Sequence, residues 1–190
     1  MNKHHCFHAV SDLLDGLDMT RAREGLRDTP DRASKAWAHW TGGYDIDPVA
    51  LLKTFEDGGE RYDELVIVSN IPFYSMCEHH LAPFFGNAAV GYIPNGKVVG
   101  LSKLNRLVDC FSRRLQTQER ITQQVANCIQ DTLKPVGVGV ILKARHMCIE
   151  SRGIAHRGSI TTTSCLLGEL KDKGAPRAEF LSLAKVNDVI

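Results

Sequence analysis

Apolar residues recur at helical spacing near the start of the chain. Phe7, Val10, Leu13, Leu14 and Leu17 share one stripe, which predicts a first helix. Thr29-Pro30 pairs an N-cap residue with a first-turn proline, and Gly42-Gly43 closes the helix they open. Asp47-Pro48 starts a short third helix through Leu51, Leu52 and Phe55, and Asp57-Gly58-Gly59-Glu60 reads as a loop. The pattern then becomes β-rich. Glu64 to Ile71, with Val66, Ile67 and Val68, predicts a strand, and Phe84 to Ile93 a second. Pro94-Asn95-Gly96, followed by Val98 and Val99, predicts a hairpin return. Helical spacing resumes from Ser102 to about Arg113 through Leu104, Leu107, Val108 and Phe111. It continues from Thr117 to Leu133 through Ile121, Val125, Cys128 and Ile129, and Pro135 stops it. Val136 to Glu150 predicts a long strand whose even positions, Val136 to Ala144, are apolar. On that reading His146 and Cys148 share its polar end. Ser159 to Leu167 predicts a Thr-rich strand and Ala175 to Lys185 a terminal helix. The order predicts an α+β fold: a helical region at 1–60, then one compact unit at 61–190 built on an antiparallel sheet with helices on one face.

Totals narrow the function classes. The chain has 190 residues and a formal net charge of +1, so no global field calls for nucleic acid or an anionic membrane. Its longest mostly apolar run, Val136 to Leu142, is too short to span a bilayer, and the first residues carry no signal-peptide pattern. Six widely spread cysteines without a secretion signal predict reduced thiols and a cytoplasmic setting. Cys110 and Cys128 fall on apolar helical stripes and read as small buried hydrophobes.

The chemistry concentrates in Cys77-Glu78-His79-His80 and in His146-x-Cys148. Cys-x-x-His suits zinc, because a tight turn can bring a thiolate and an imidazole onto one ion. Cys148 would complete three protein ligands and leave a position for water, the arrangement of a catalytic ion. Glu78, His79 and His146 would stand beside it as proton-transfer groups. Two alternatives stay open on spacing alone: a closed structural site with His79 or His146 as fourth ligand, and buried residues that bind no metal. Lys103 and Arg106 share a face at a helix start, with Ser102 beside them, and suit a phosphate; the plainer reading is a solvated basic face. Arg152 could add a guanidinium fork, whereas Arg113, Arg114 and Arg120 read as ordinary surface residues. Glu119 reads first as a helix-dipole partner and second as a carboxylate that could accept a guanine edge.

Taken together, Ser75-Met76-Cys77-Glu78-His79-His80, Gly100 to Arg106, Gln116-Thr117-Gln118-Glu119-Arg120, His146-Met147-Cys148, Arg152-Gly153, Thr161 to Ser164 and Arg177 to Leu181 resemble the GTP cyclohydrolase I family, in order and from about Thr29 to Ala184. The resemblance implies a tunnelling fold, with subunits' sheets joined into a barrel, and a decamer of two pentameric rings with active sites between subunits. It implies conversion of GTP and water to 7,8-dihydroneopterin triphosphate and formate, the entry to folate-type pterins. By matching position it implies Zn2+ on Cys77, His80 and Cys148, and proton transfer by His79 and His146 with help from Ser102. It also implies guanine anchored by Glu119 with Gln118, and triphosphate and ribose held by Ser102, Lys103, Arg106, Arg152 and, from an adjoining subunit, Arg32. Two rival readings remain: ring opening that stops at a formylamino product, and a zinc-stabilised oligomer that binds nucleotide without turnover.

Overall fold

The structure is a computed structural model that describes residues 2–17, 23–55, 62–172 and 174–187. The loop expected at 57–60 lies outside the described residues. Two units emerge, Met1–Gly42 and Gly43–Ile190. The first holds α1 (Lys3–Leu17), α2 (Glu24–Arg27) and α3 (Thr29–Trp40), with α1 packed on α3. Pro30 sits in the first turn of α3, where its missing N–H costs nothing.

The second unit opens with a 3-10 turn (Gly42–Asp45), α4 (Pro48–Leu51) and β1 (Thr54–Phe55). Asp47 caps α4 by accepting from Val49 N at 3.0 Å. Next come β2 (Val66–Cys77), β3 (Pro83–Ile93), β4 (Val98–Val99), α5 (Leu101–Ser112), β5 (Leu115–Gln116) and α6 (Gln118–Leu133). The chain ends with β6 (Gly137–His146), α7 (Met147–Glu150), β7 (Thr161–Gly168), α8 (Glu169–Asp172) and α9 (Gly174–Leu183). A five-stranded sheet runs β5-β2-β3-β6-β7. All its pairings are antiparallel except β2 with β5, so the sheet is mixed rather than antiparallel throughout.

Four expectations need correction. The strand expected from Glu64 does not stop at Ile71: β2 runs on to Cys77, past a register shift between Val68 and Ile71. Pro72 is tolerated because it lies on the side of β2 that has no strand partner above β5. Asn95-Gly96 makes a turn, with Gly96 at φ 73°, but no β3–β4 hairpin; β4 pairs instead with β1. The Tyr92 hydroxyl accepts from Val99 N at 2.9 Å and draws the returning chain over the core. The long strand ends at His146, and Met147–Glu150 is a helical turn. Arg145 forks onto Glu150 at 2.9 and 2.7 Å. Five residues of extended chain would place those side chains roughly 16 Å apart. Helices cover both faces of the sheet, not one.

The main core lies under α5 and α6, where Phe73, Phe84, Val90, Val140 and Leu142 meet Leu104, Leu107, Ile121, Val125 and Ile129. The alternate positions Ala89 and Ile141 face the other way and meet Leu170, Phe180, Ala184 and Val186 of the C-terminal segment. Gly91 and Gly139 are register partners, and the Phe180 ring lies over both. Among the described residues no helix is long and apolar enough to cross a membrane.

Candidate metal centre and cleft

The turn between β2 and β3 builds half of the site. Cys77 N donates to Ala82 O at 2.8 Å, and the Cys77 carbonyl accepts from Leu81 N at 2.8 Å and His80 N at 3.4 Å. Leu81 takes φ 52°, a left-handed conformation uncommon outside glycine. This tight reversal brings His80 Nδ1 to 3.9 Å from the Cys77 sulfur. His79 Nδ1 stands 3.7 Å from the same sulfur. The parallel rung between Cys77 and Gln116, with Glu78 N bonded to Gln116 O at 3.1 Å, ties the turn to the start of α6.

Cys148 arrives from α7 rather than along the strand. The sulfurs of Cys77 and Cys148 and a ring nitrogen of His80 lie within 4.8 Å of one another, and among the described residues this is the one group of metal-capable donors so placed. His79 and His146 are outside it. An ion bonded to sulfur at about 2.3 Å and nitrogen at about 2.0 Å in tetrahedral geometry needs donors roughly 3.6–3.8 Å apart, close to what the turn provides. Two thiolates and an imidazole are the ligand chemistry of zinc, although other divalent ions accept them. Burial, and next the neighbouring Cys77 thiol, push the Cys148 thiol above its ordinary value.

Beside this cluster opens a cleft of about 220 Å³ lined by Cys77, His79, Phe84, Gln118, Glu119, His146, Cys148 and Thr161, among others. His146 stacks on Phe84, with ring centroids 4.7 Å apart and planes 5° from parallel. Its Nε2 lies 2.8 Å from Gln118 Oε1, and burial lowers its basicity. Gln118 is 1% exposed, and its amide nitrogen reaches three acceptors in β6 and β7. Glu119 is exposed on the first turn of α6, whose cap Thr117 accepts from Arg120 N at 3.3 Å.

The other expected residues lie elsewhere. Glu78 does not line the cleft; Arg120 grips both its oxygens at 2.5 and 2.9 Å and holds its carboxyl below the usual carboxylate range. That removes Glu78 as a free proton carrier and gives Arg120 a partner that sequence reading missed. Arg152 donates to His80 Nε2 at 2.8 Å, on the far side of that ring from Cys77. Ser102 and Arg106 are exposed on α5, with Lys103 partly so, and none of the three lines the cleft. Arg32, in the first unit, donates to Gly25 O and Thr29 Oγ1 and pairs with Asp28. Phe84 was also missed as a site residue. The signal was present only in register, because Phe84 and His146 are β3–β6 partners.

The sequence model described as GTP cyclohydrolase I matches residues 6–185. The chain belongs to the GTP cyclohydrolase I family. It is 61% identical over 176 residues to GTP cyclohydrolase 1 of Nitrosospira multiformis, covering 93% of this chain and 92% of that one. Identity to GTP cyclohydrolase 1 of Janthinobacterium sp. is 58%, covering 93% and 89%. With the Saccharomyces cerevisiae protein of the same name it is 51%, covering 92% and 72%. The family is one of enzymes, and the metal cluster and cleft fall inside the matched span.

Proposed function

We propose that this protein hydrolyses and rearranges GTP to 7,8-dihydroneopterin triphosphate, with release of formate, as the first step of pterin and tetrahydrofolate synthesis. The observation that carries the reading is the convergence of Cys77, His80 and Cys148 at the edge of a cleft that also holds Glu119, His79 and His146. These three donors would hold Zn2+. Once bound, the ion would polarise water into a nucleophile near neutral pH.

The chain's own groups do the rest. The exposed Glu119 carboxylate can accept two hydrogen bonds from guanine's ring N–H and exocyclic amine, and an adenine edge would face it with an acceptor. His146 and His79 both line the cleft and would stand beside the purine's imidazole ring. A ring N–H there neutralises charge building on the purine nitrogen as the imidazole ring opens. The later ribose rearrangement and ring closure need proton shuttling, which suits the second histidine and, from a neighbouring copy, Ser102. Arg152, bonded to His80 Nε2, would hold phosphate or ribose oxygens.

Ser102, Lys103, Arg106 and Arg32 act on the triphosphate from neighbouring copies, in a decamer of two pentameric rings whose joined sheets form the barrel of a tunnelling fold. Two features of the fold support such an assembly. The α5 residues are exposed away from the cleft. Among the described residues, the outer sides of β7 and of most of β2 carry no strand partner, so sheets can continue from copy to copy. The free thiols are in keeping with a cytoplasmic enzyme.

The deciding experiment incubates pure protein with GTP and follows formate and pterin fluorescence, with and without a chelator. The reading expects one formate per pterin and loss of both with the chelator. Formylamino product without pterin would mean an early stop, and GTP binding without turnover would mean a non-catalytic oligomer.

A further inference from the structure

We propose that Gln118 is a positioning residue that fixes neutral His146 in a single tautomer, with the hydrogen on Nε2 and the lone pair on Nδ1. The inference rests on the reading of His146 as a proton-transfer group and deepens it.

The argument starts from what surrounds the Gln118 carboxamide. Its Nε2 lies 3.1 Å from Leu142 O, 3.1 Å from Thr161 O and 3.1 Å from Thr163 Oγ1. The two backbone carbonyls can only accept, so the end of the amide that faces them must be the NH2 group. The other end is therefore the oxygen, 2.8 Å from His146 Nε2. An amide oxygen cannot donate, so His146 Nε2 must carry the hydrogen. A neutral imidazole has one N–H, which leaves Nδ1 with the lone pair.

The threonines make the direction self-consistent. The Thr122 hydroxyl lies 2.8 Å from Gln118 O, a carbonyl, and so donates its hydrogen there. Its contact of 2.7 Å with Thr163 Oγ1 must then be donated by Thr163. Thr163 in turn accepts from Gln118 Nε2. The two hydrogens of the amide nitrogen are shared among these three acceptors, and turning the amide over would set its oxygen against two carbonyls. Gln118 is 1% exposed, so water cannot relieve such a reversal. The Phe84 ring, 5° from parallel with the imidazole, limits the remaining tilt. A buried acceptor that holds one ring nitrogen of a proton-transferring histidine is a known way to keep the other correctly presented.

The test has two arms. Wild-type protein with 15N-labelled histidine, sedimented for solid-state NMR, should show His146 with a pyrrole-type Nε2 and a pyridine-type Nδ1 (the resonances identified by their loss in His146→Gln). This arm needs no variant at position 118 to fold. In Gln118→Leu, assayed as the metal-loaded full chain, the His146 signals should broaden or split into both tautomers. Its kcat should drop roughly 10–100-fold, the range typical when the group orienting a functional histidine is removed, while KM for GTP and metal content stay at wild-type values. A pyridine-type Nε2 in the wild type overturns the proposal. So does a Gln118→Leu protein with unchanged tautomer and kcat, or one in which only KM rises, which would make Gln118 a substrate contact. If His146→Ala keeps full kcat, the proton-transfer reading of His146 fails while the NMR result still decides the tautomer.

Discussion

At the residue scale the metal cluster combines a local signal with a distant one. Cys77 and His80 are legible in sequence because a tight turn closes that spacing, and the bond from Leu81 N to the Cys77 carbonyl shows how. Cys148 is legible as a residue type but not in its route, since its strand ends two residues earlier. Removing one of three ligands should cost more than removing a group behind a ligand. Cys148→Ala should therefore lower metal affinity by at least ~100-fold, and formate release should fall with it. Metal-to-protein ratio after gel filtration checks the first part; a metal-free variant with full turnover would defeat the mechanism. A second residue outside the site has a pH signature. Burial holds the Tyr92 phenol above its ordinary value of 10.0. The folded chain thus keeps this proton longer than the unfolded one, so the contribution is complete below the unfolded value and lost as pH rises through the folded one. Between about pH 9 and 11 the melting temperature should fall more steeply in wild type than in Tyr92→Phe. Near neutrality the variant should be less stable by about 1–3 kcal/mol, because the Val99 N–H loses its acceptor.

At the scale of elements, periodicity found α3, α5, α6, β3 and most of β6, whose buried faces repeat along the chain. It failed where tertiary bonds overrode local pattern. The Arg145–Glu150 fork turns the end of the long strand into α7. β5 has two residues, too few for any period, and exists because Cys77 and Gln116 pair. Gly91 of β3 and Gly139 of β6 likewise make sense against Phe180 of α9. A Cβ on Gly139 would come within 2.6 Å of the Phe180 ring. Gly139→Ala should cost about 1–3 kcal/mol in urea unfolding, and adding Phe180→Leu should restore part of it. A neutral Gly139→Ala would mean that Phe180 does not pack there.

At the scale of the whole molecule, the sequence supplied the class and the two sheet-covering helices but not the second covered face, whose cluster draws on α8 and α9. Nor could it show that Ser102, Lys103 and Arg106 stay out of their own chain's cleft. The shared-site reading makes a sharp expectation. Glu119→Ala and Arg106→Ala, each inactive alone, should regain activity when co-assembled, since in a random mixture about a quarter of the sites would combine two intact halves. Mixing that yields only the sum of the separate residual activities would put both residues in one chain's site.

Pro72 has a consequence of its own. Along β2 the N–H groups alternate sides, and Glu78 N points to Gln116 on the outer side. Counting back by twos through Met76 and Tyr74, position 72 is where another outward donor would stand, and proline has none to offer. A newly made copy that has met no neighbour exposes this row to every other unfolded or half-folded chain in solution. The gap in the row makes this stretch of edge a poorer template for fibril-like pairing.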